Sequence, residues 1–483
     1  MEKIALAEID DKKTNASEKF SNKSAIITHY LQNYKNKISN FYEKEALKIT
    51  QEILEKKYPE KIITKKKAED ALRNGLFENL EVPFPSPKNP EFTFIDLFAG
   101  IGGFRLALQN LGGKCIYTSE WDQNAKNTYF ANFGEIPFGD ITNEKTKAFI
   151  PTNFDVLCAG FPCQPFSKGG HRNGFEDTRG TLFFDICEII QKHQPKILLL
   201  ENVTNLVSHD GGNTYKVILK NLDQLGYIFP EEALILSPDN FGVPTLRPRV
   251  YIPCVRKDIA EINVDFIKNI KRNIKFYFSD EVDSIDSIIN FEDKDSQISA
   301  YELNVLKVWN EFYKNIDLDI IGFPIWTEYF KYDGDYTEFP EWKAKFILKN
   351  VSLYQRNQKF IDEWLAKNSN LDGFIKTHRK MEWQAGKSHD DIFDCLIQFR
   401  PSGVRVKKAD KFSTLVAMNH QQIIGKLRRK ISIDESKLLQ SFPKNYILNP
   451  LPSVALKQLG NSVNVKVVEI IFKLMKEKYL SEN

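Results

Sequence analysis

The segment Phe94-Ile95-Asp96-Leu97-Phe98-Ala99-Gly100-Ile101-Gly102-Gly103-Phe104 constrains the fold more than any other part of the chain. An apolar run stops at a glycine turn, and a helix-like stretch, Phe104–Leu111, begins directly after it. Glycines at such a place let the backbone take positive φ and lie close against a ligand. Further short apolar runs follow at Cys115–Ser119, Asp155–Ala159 and Ile197–Leu200, alternating with helix-like segments. This alternation predicts an α/β fold with a parallel sheet, Rossmann-like, whose ligands sit at the carboxyl ends of the strands. The pattern holds from Phe92 to about Val255.

The flanks read differently. Residues 1–91 are rich in Lys, Glu and Asn and poor in Gly. Ile26, Ile27, Tyr30 and Leu31 share one helical face, as do Ile49, Ile53 and Leu54. Pro83-Phe84-Pro85-Ser86-Pro87 breaks any helix and reads as a linker. Residues 256–397 lose the strand–helix alternation and gather aromatic and charged residues, including Trp309, Phe312, Tyr313, Trp326, Tyr329 and Phe330. Residues 398–483 regain glycine punctuation and end in a helix-like segment, Val463–Tyr479. The expected divisions are therefore 1–91, 92–255, 256–397 and 398–483.

Composition excludes several classes. A hydrophobic content of 42% supports a folded core. A net charge of +3 is too small to argue for nucleic acid, so such an argument must rest on local clusters. The six cysteines form no CxxC pair and match no zinc framework, so no metal is expected. No apolar run approaches the ~20 residues that span a bilayer, and Met1-Glu2-Lys3 begins no secretory pattern. A reducing, cytoplasmic setting with cysteines as thiols is expected.

Three positions at the ligand edge carry chemistry. Glu120 closes the second apolar run, where an acidic residue suits ribose hydroxyls. The alternative is a tight turn with no ligand, and Glu120 argues for a nucleoside cofactor. Gly-x-Gly-Gly is not the dinucleotide fingerprint, so nicotinamide is disfavoured. Cys163 lies in Gly160-Phe161-Pro162-Cys163-Gln164-Pro165-Phe166-Ser167, a stiff loop following a strand, and rigidity suits a nucleophile. Cys115, Cys158 and Cys187 read as packing cysteines. Glu201 ends another strand-like run; taken by itself it reads as a solvated strand-end glutamate, but partly desolvated beside the other motifs its carboxyl could stay protonated and donate to a heterocycle nitrogen.

With these residues in order, the chain resembles the bacterial DNA (cytosine-5-)-methyltransferases of restriction–modification systems. The resemblance rests on Asp96–Gly103, Glu120-Trp121, Asp140-Ile141, Gly160–Ser167, Glu201–Val203, Arg247 with Arg249, Gln440-Ser441-Phe442-Pro443 and Gln458-Leu459-Gly460-Asn461-Ser462-Val463. It implies a Rossmann-like S-adenosylmethionine-dependent methyltransferase core and a smaller target-recognition domain in residues 256–397. It further implies that Phe98, Ala99, Gly100, Gly102 and Gly103 line the methionine end of S-adenosylmethionine. Glu120 would hold the ribose, Trp121 would lie against adenine, and Asp140 beside Ile141 would accept from the adenine amine. Pro162, Asn461, Ser462 and Val463 would complete the pocket, folding the end of the chain back onto the core. Cys163 would attack the cytosine ring, Glu201 would bond its ring nitrogen and amine, and Arg249, with Arg247 nearby, would help hold the base.

The resemblance also implies a DNA partner, with the target cytosine flipped out of the duplex and the DNA lying between two lobes. Ser167, Arg400, Ser402, Arg405, Lys407 and Lys408 are the expected DNA contacts, and Lys411 and the cluster Lys426, Arg428, Arg429 and Lys430 add basic charge. Thr245-Leu246 before Arg247, and Pro248 after it, depart from the family pattern. The rival activity is tRNA cytosine methylation by the same core, and the N-terminal extension could add transcriptional autoregulation. The expected protein is a monomer, cytoplasmic and nucleoid-associated, accompanied by a restriction endonuclease encoded nearby that it need not bind.

Overall fold

The computed structural model describes residues 22–33, 40–73, 81–162, 182–261, 263–317, 320–416 and 421–480. The chain divides into two compact units. One comprises Met1–Gly242, Arg247–Asp280 and Gln440–Asn483, and the other Val243–Leu246 and Glu281–Leu439. Among the described residues no helix is long and apolar enough to cross a membrane.

The first unit opens with helices α1 (Lys23–Asn33), α2 (Asn40–Lys57) and α3 (Lys65–Arg73). Then come β1 (Phe92–Leu97), α4 (Gly103–Asn110), β2 (Gly113–Ser119), α5 (Gln123–Phe133), β3 (Val156–Gly160) and β4 (Ile197–Val203). Strands β5 (Tyr227–Ile228), β6 (Leu234–Leu236) and β7 (Arg249–Arg256) complete its sheet. The order is β2-β1-β3-β4-β7-β5, with β6 also pairing β7. Strands β1 to β4 are parallel and buried on both faces, which is why they read as mainly apolar runs. The parallel expectation fails at β7, which runs antiparallel to β4 and pairs antiparallel with β5 and β6. Such pairs need no helical crossover. The chain leaves β1 toward β2 on one side and returns to β3 on the other, so a topological switch point lies between β1 and β3.

Pro83–Pro87 is not a free linker. The Phe84 amide donates to the Asn132 carbonyl at 3.1 Å, and the Phe84 ring lies 5.4 Å from that of Tyr446. Gln109 donates to the carbonyls of Phe84 and Pro85. Ser86 Oγ accepts from Arg105, whose guanidinium also clasps Glu135 through both nitrogens at 2.7 and 3.2 Å. The helices before it dock as well: Ile26, Ile27, Tyr30, Tyr42, Ile49 and Leu54 are buried in the same core as β1, β2 and β3.

The second unit carries β8 (Pro324–Trp326), β9 (Lys380–Gln384), β10 (Leu396–Arg400), β11 (Gly403–Lys407), β12 (Ile423–Ile424) and β13 (Arg429–Lys430). They form a sheet in the order β13-β12-β10-β11-β9-β8. The aromatic block supplies its core: Trp309, Phe312, Phe330 and Trp364 pack with Met381, Trp383, Val404 and Val406. The expected boundaries move accordingly. Residues 398–439 belong here, because β10 and β11 pair with each other and β11 with β9. The returning C-terminal segment begins at Gln440, while 256–280 stay with the first unit.

Candidate active site

The turn after β1 stands at the switch point. Phe98, Gly100 and Gly102 all take positive φ, at 56°, 55° and 85°. Phe98 is the costly one, since a bulky residue rarely adopts that region, and such strain clusters at functional sites. The turn is fixed by the Ala99 amide donating to Ser119 and the Gly102 amide donating to Ala99. The glycines serve different ends. A Cβ on Gly102 would meet Phe133 Cε2 at 2.4 Å, and one on Gly103 would meet Val463 Cγ2 at 2.7 Å and Ser462 Oγ at 2.8 Å. A Cβ on Gly100 would meet nothing within 4 Å, so the open side of the turn is there.

Glu120 closes β2 beside that opening. Its carboxylate accepts from the amides of Gly100 at 2.7 Å and of Trp121 and Asp122 at 2.8 Å each. Burial raises its pKa, and the backbone donors pull against the rise. The bonds leave one acceptor site of the carboxylate for a further donor. Trp121 presents an exposed ring, 76% accessible. The strip Ile136–Gly139 runs beside β2: Phe138 donates to Thr118 and accepts from the Glu120 amide. It thereby delivers Asp140, exposed and accepting from the Thr142 amide at 2.9 Å, next to the end of β2, with Ile141 buried behind it.

Glu201 and Arg249 meet across the other half of the switch point. Glu201 is 9% exposed and Arg249 Nε lies 3.2 Å from its Oε1. Burial raises the Glu201 pKa, and Arg249 and then Arg247 draw it back. Gly160 is paired with Glu201 in the β3–β4 ladder. Asn202 donates to the Phe161 carbonyl at 2.8 Å, anchoring the chain where it leaves β3, and Pro162 is exposed just beyond. Cys163 and Ser167 lie outside the described residues. Cys115, Cys158 and Cys187 are buried, and burial pushes the Cys115 thiol up to about 12.

Arg247 is buried beside this pair and feels both charges. Its Nη2 donates to the carbonyls of Gly460 and Ser462 at 2.7 Å each, and burial followed by Arg249 lowers its pKa to about 9. It thus ties the returning segment to the sheet. Gln440 donates to Leu459, Asn464 caps the helix Val465–Tyr479 and bonds Ser441, and the Tyr446 hydroxyl donates to the Ile101 carbonyl. Ser462 and Val463 are buried against Gly103, and Asn461 is exposed. Asn202, Gln440 and Tyr446 were given no role in the sequence reading, because each bonds a partner well along the chain, whereas Asn464 offered a local signal, an asparagine three residues before the Val467 amide it caps.

The basic residues of the second unit sort by strand parity. Gln398, Arg400, Arg405 and Lys407 share one face of β10–β11, opposite the buried Ile397, Val404 and Val406. Arg405 Nε stands 3.2 Å and Arg400 Nη1 3.9 Å from Glu382 Oε2, while Lys407 donates to the Lys411 carbonyl. Ser402 and Lys408 are exposed. Arg429 does not belong to a surface patch. It is buried, donates to both oxygens of Glu435 at 2.9 and 2.6 Å, and also bonds the Asn290 carbonyl. Among the described residues no cluster of three or more His, Cys, Asp or Glu is placed to hold a metal ion.

A strained glycine turn, the buried carboxylate of Glu120 and the buried Glu201–Arg249 pair thus gather around one switch point of a mainly parallel sheet. Residues 92–477 match the model of the C-5 cytosine-specific DNA methylases, and the chain belongs to that family. It is 62% identical over 186 residues to the type II methyltransferase M.HpaII of Haemophilus parainfluenzae, covering 38% of this chain and 51% of that protein. It is 50% identical over 182 residues to M.HhaI of Haemophilus parahaemolyticus, covering 37% and 54%. These matches thus span about half the length of each relative. A longer one, 29% identical over 482 residues, covers 80% of this chain and 92% of M.AluI of Cellulosimicrobium cellulans.

Proposed function

We propose that this protein methylates carbon 5 of cytosine in a specific duplex DNA sequence, as the modification enzyme of a restriction–modification system. The observation that carries the reading is the buried Glu201–Arg249 pair beside Gly160, on the strand that leads into Pro162-Cys163. A carboxyl group there, its pKa raised by burial, can hold a proton for a heterocycle nitrogen.

The pocket residues fit S-adenosylmethionine: Gly100 leaves open space, Glu120 keeps an acceptor site, and Trp121 offers a flat exposed face. When bound, that molecule supplies an electrophilic methyl group. Phe98, Ala99, Gly100, Gly102 and Gly103 would cradle its methionine end, Glu120 the ribose, Trp121, Asp140 and Ile141 the adenine, with Pro162, Asn461, Ser462 and Val463 closing the pocket. Cys163, as thiolate, would add to carbon 6 of the flipped cytosine, while Glu201 gives its proton to the ring nitrogen. The electron pair this places on carbon 5 makes that atom nucleophilic. Once carbon 5 carries the methyl group, loss of its proton to solvent and return of the ring-nitrogen proton to Glu201 restore the double bond and expel the thiolate. Arg249 would hold the base against Glu201, and Arg247 would keep the returning segment in place. Ser167, Arg400, Ser402, Arg405, Lys407 and Lys408 are the proposed DNA contacts.

The test is transfer of labelled methyl to duplex DNA and to tRNA, followed by bisulfite sequencing of DNA from a host making the protein. Methyl-cytosine at one recurrent sequence is expected. Label on tRNA alone, or none on DNA, overturns the reading.

A further inference from the structure

The N-terminal helices precede every motif of the catalytic core, yet they touch the strip that carries its adenine-side carboxylate. Ile136–Gly139 is held from two sides. On one side lies β2, through the Phe138 bonds to Thr118 and Glu120. On the other lies α1. Thr28 Oγ1, buried, accepts from the Ile136 amide at 3.0 Å, and Asn22 Oδ1, just before α1, accepts from the Gly139 amide at 3.3 Å. Between these bonds the His29 ring lies 4.8 Å from that of Phe138, and Tyr42 from α2 stacks at 6.0 Å. Among the described residues the strip makes no ladder beyond the single bridge Ser119↔Phe138, and its Ile136 and Gly139 amides are taken up by Thr28 and Asn22. Gly139 immediately precedes Asp140, and the Phe138 carbonyl receives the Glu120 amide.

We infer that the start of the N-terminal extension belongs to the cofactor machinery, with Asn22 and Thr28 as positioning residues that place Asp140 and Glu120 by clamping Ile136–Gly139 against β2. The inference rests on the proposed S-adenosylmethionine pocket. It assigns the extension a role in cofactor affinity and none in the choice of DNA sequence.

The test uses the full chain and S-adenosylmethionine itself, by calorimetry and steady-state kinetics. Thr28→Val keeps the volume and removes the acceptor; it should raise Kd and KM for S-adenosylmethionine about two- to tenfold, the range of one hydrogen bond. The kcat, the KM for DNA and the methylated site should not change. Thr28→Ser should restore affinity. Asn22→Ala, at a half-buried position, should raise Kd in the same direction and decides the matter should Thr28→Val not fold. Glu52→Ala, which breaks only the surface pair with Lys23, should change nothing. Unchanged affinity in Thr28→Val and Asn22→Ala overturns the inference, as does a parallel loss in kcat and both KM values. An unmodified enzyme that does not bind S-adenosylmethionine overturns the pocket reading beneath it.

Discussion

Gly160 and Glu201 stand opposite each other in the β3–β4 ladder, so close that a Cβ on the glycine would lie 3.4 Å from Glu201 Oε2. The same Cβ would touch Phe104 at 3.4 Å and Val463 at 3.9 Å. Four segments distant in sequence thus converge on the space of one missing side chain. Gly160→Ala should be tolerated with a modest loss. Gly160→Val places methyl groups against the carboxylate and should turn it from Arg249, slowing single-turnover methyl transfer by about 100-fold, the cost of small misplacement. Wild-type rates in Gly160→Val would mean that Glu201 does not act from this position.

The proposed covalent step is open to trapping. Fluorine at carbon 5 cannot leave as a proton, so DNA carrying 5-fluorocytosine at the target should stay joined to the enzyme through denaturation. Cys163→Ser should abolish the complex, since a hydroxyl is far less ionised than a thiol. Cys158→Ser, whose side chain is buried within β3, should still form it. Glu201→Gln cannot give up a proton and should slow trapping at least about 100-fold. A complex with Cys163→Ser would exclude the mechanism.

Arg105 anchors the core from α4. It holds Glu135 through both nitrogens and bonds Tyr129 and Ser86, with both charged side chains fully buried. Burial alone would raise the Glu135 carboxyl, but Arg105 and then His29 outweigh it and hold it below the usual range. Arg105→Met removes the two-pronged partner of that buried carboxylate and leaves only His29, 3.8 Å away, and the more distant charge of Lys114. Urea unfolding should register a loss of about 3–5 kcal/mol, as for other broken buried pairs. A loss no larger than that of an exposed arginine would mean that Glu135 finds another partner.

His29 should make stability depend on pH. Burial lowers its pKa below the ordinary 6.5, and Glu135 offsets only part of this, against Arg105 and Lys126. As pH falls through 6.5 the unfolded chain takes up the proton first, so this contribution is present above 6.5 and is lost toward lower pH. The limiting slope is about 1.4 kcal/mol per pH unit. His193 and His378 shift the same way, so the measurement is the difference between unmodified protein and His29→Gln in unfolding at pH 7.5 and 5.5. Identical pH dependence in the two proteins would count against a neutral, buried His29.

The strands that bear the site were legible because parallel strands buried on both faces are mainly apolar, as Ile197–Leu200 is and as Phe92–Leu97 is apart from Thr93 and Asp96. Periodicity carries no direction, so nothing in Arg249–Arg256 announced an antiparallel strand. Arg429 sits in a run of basic residues that looks solvated, and only the fold brings Glu435 and Asn290 to it. Phe84 reads as part of a proline-broken spacer because Asn132 and Tyr446, which dock it, lie far along the chain. Glu120 and Glu201 stood out because each closes an apolar run, whereas Thr28 and Asn22 sit in a segment without chemistry of its own.

The returning segment has a consequence for synthesis. Tyr446 bonds Ile101 across 345 residues, and Val463 packs on Gly103. At a translation rate of about 5–20 residues per second, the glycine turn waits tens of seconds on the ribosome for the side chains that close it. Until then a nascent chain has β1 to β4 but an unsealed pocket. Should the pocket be as proposed, a product of interrupted translation would lack the side chains that close it.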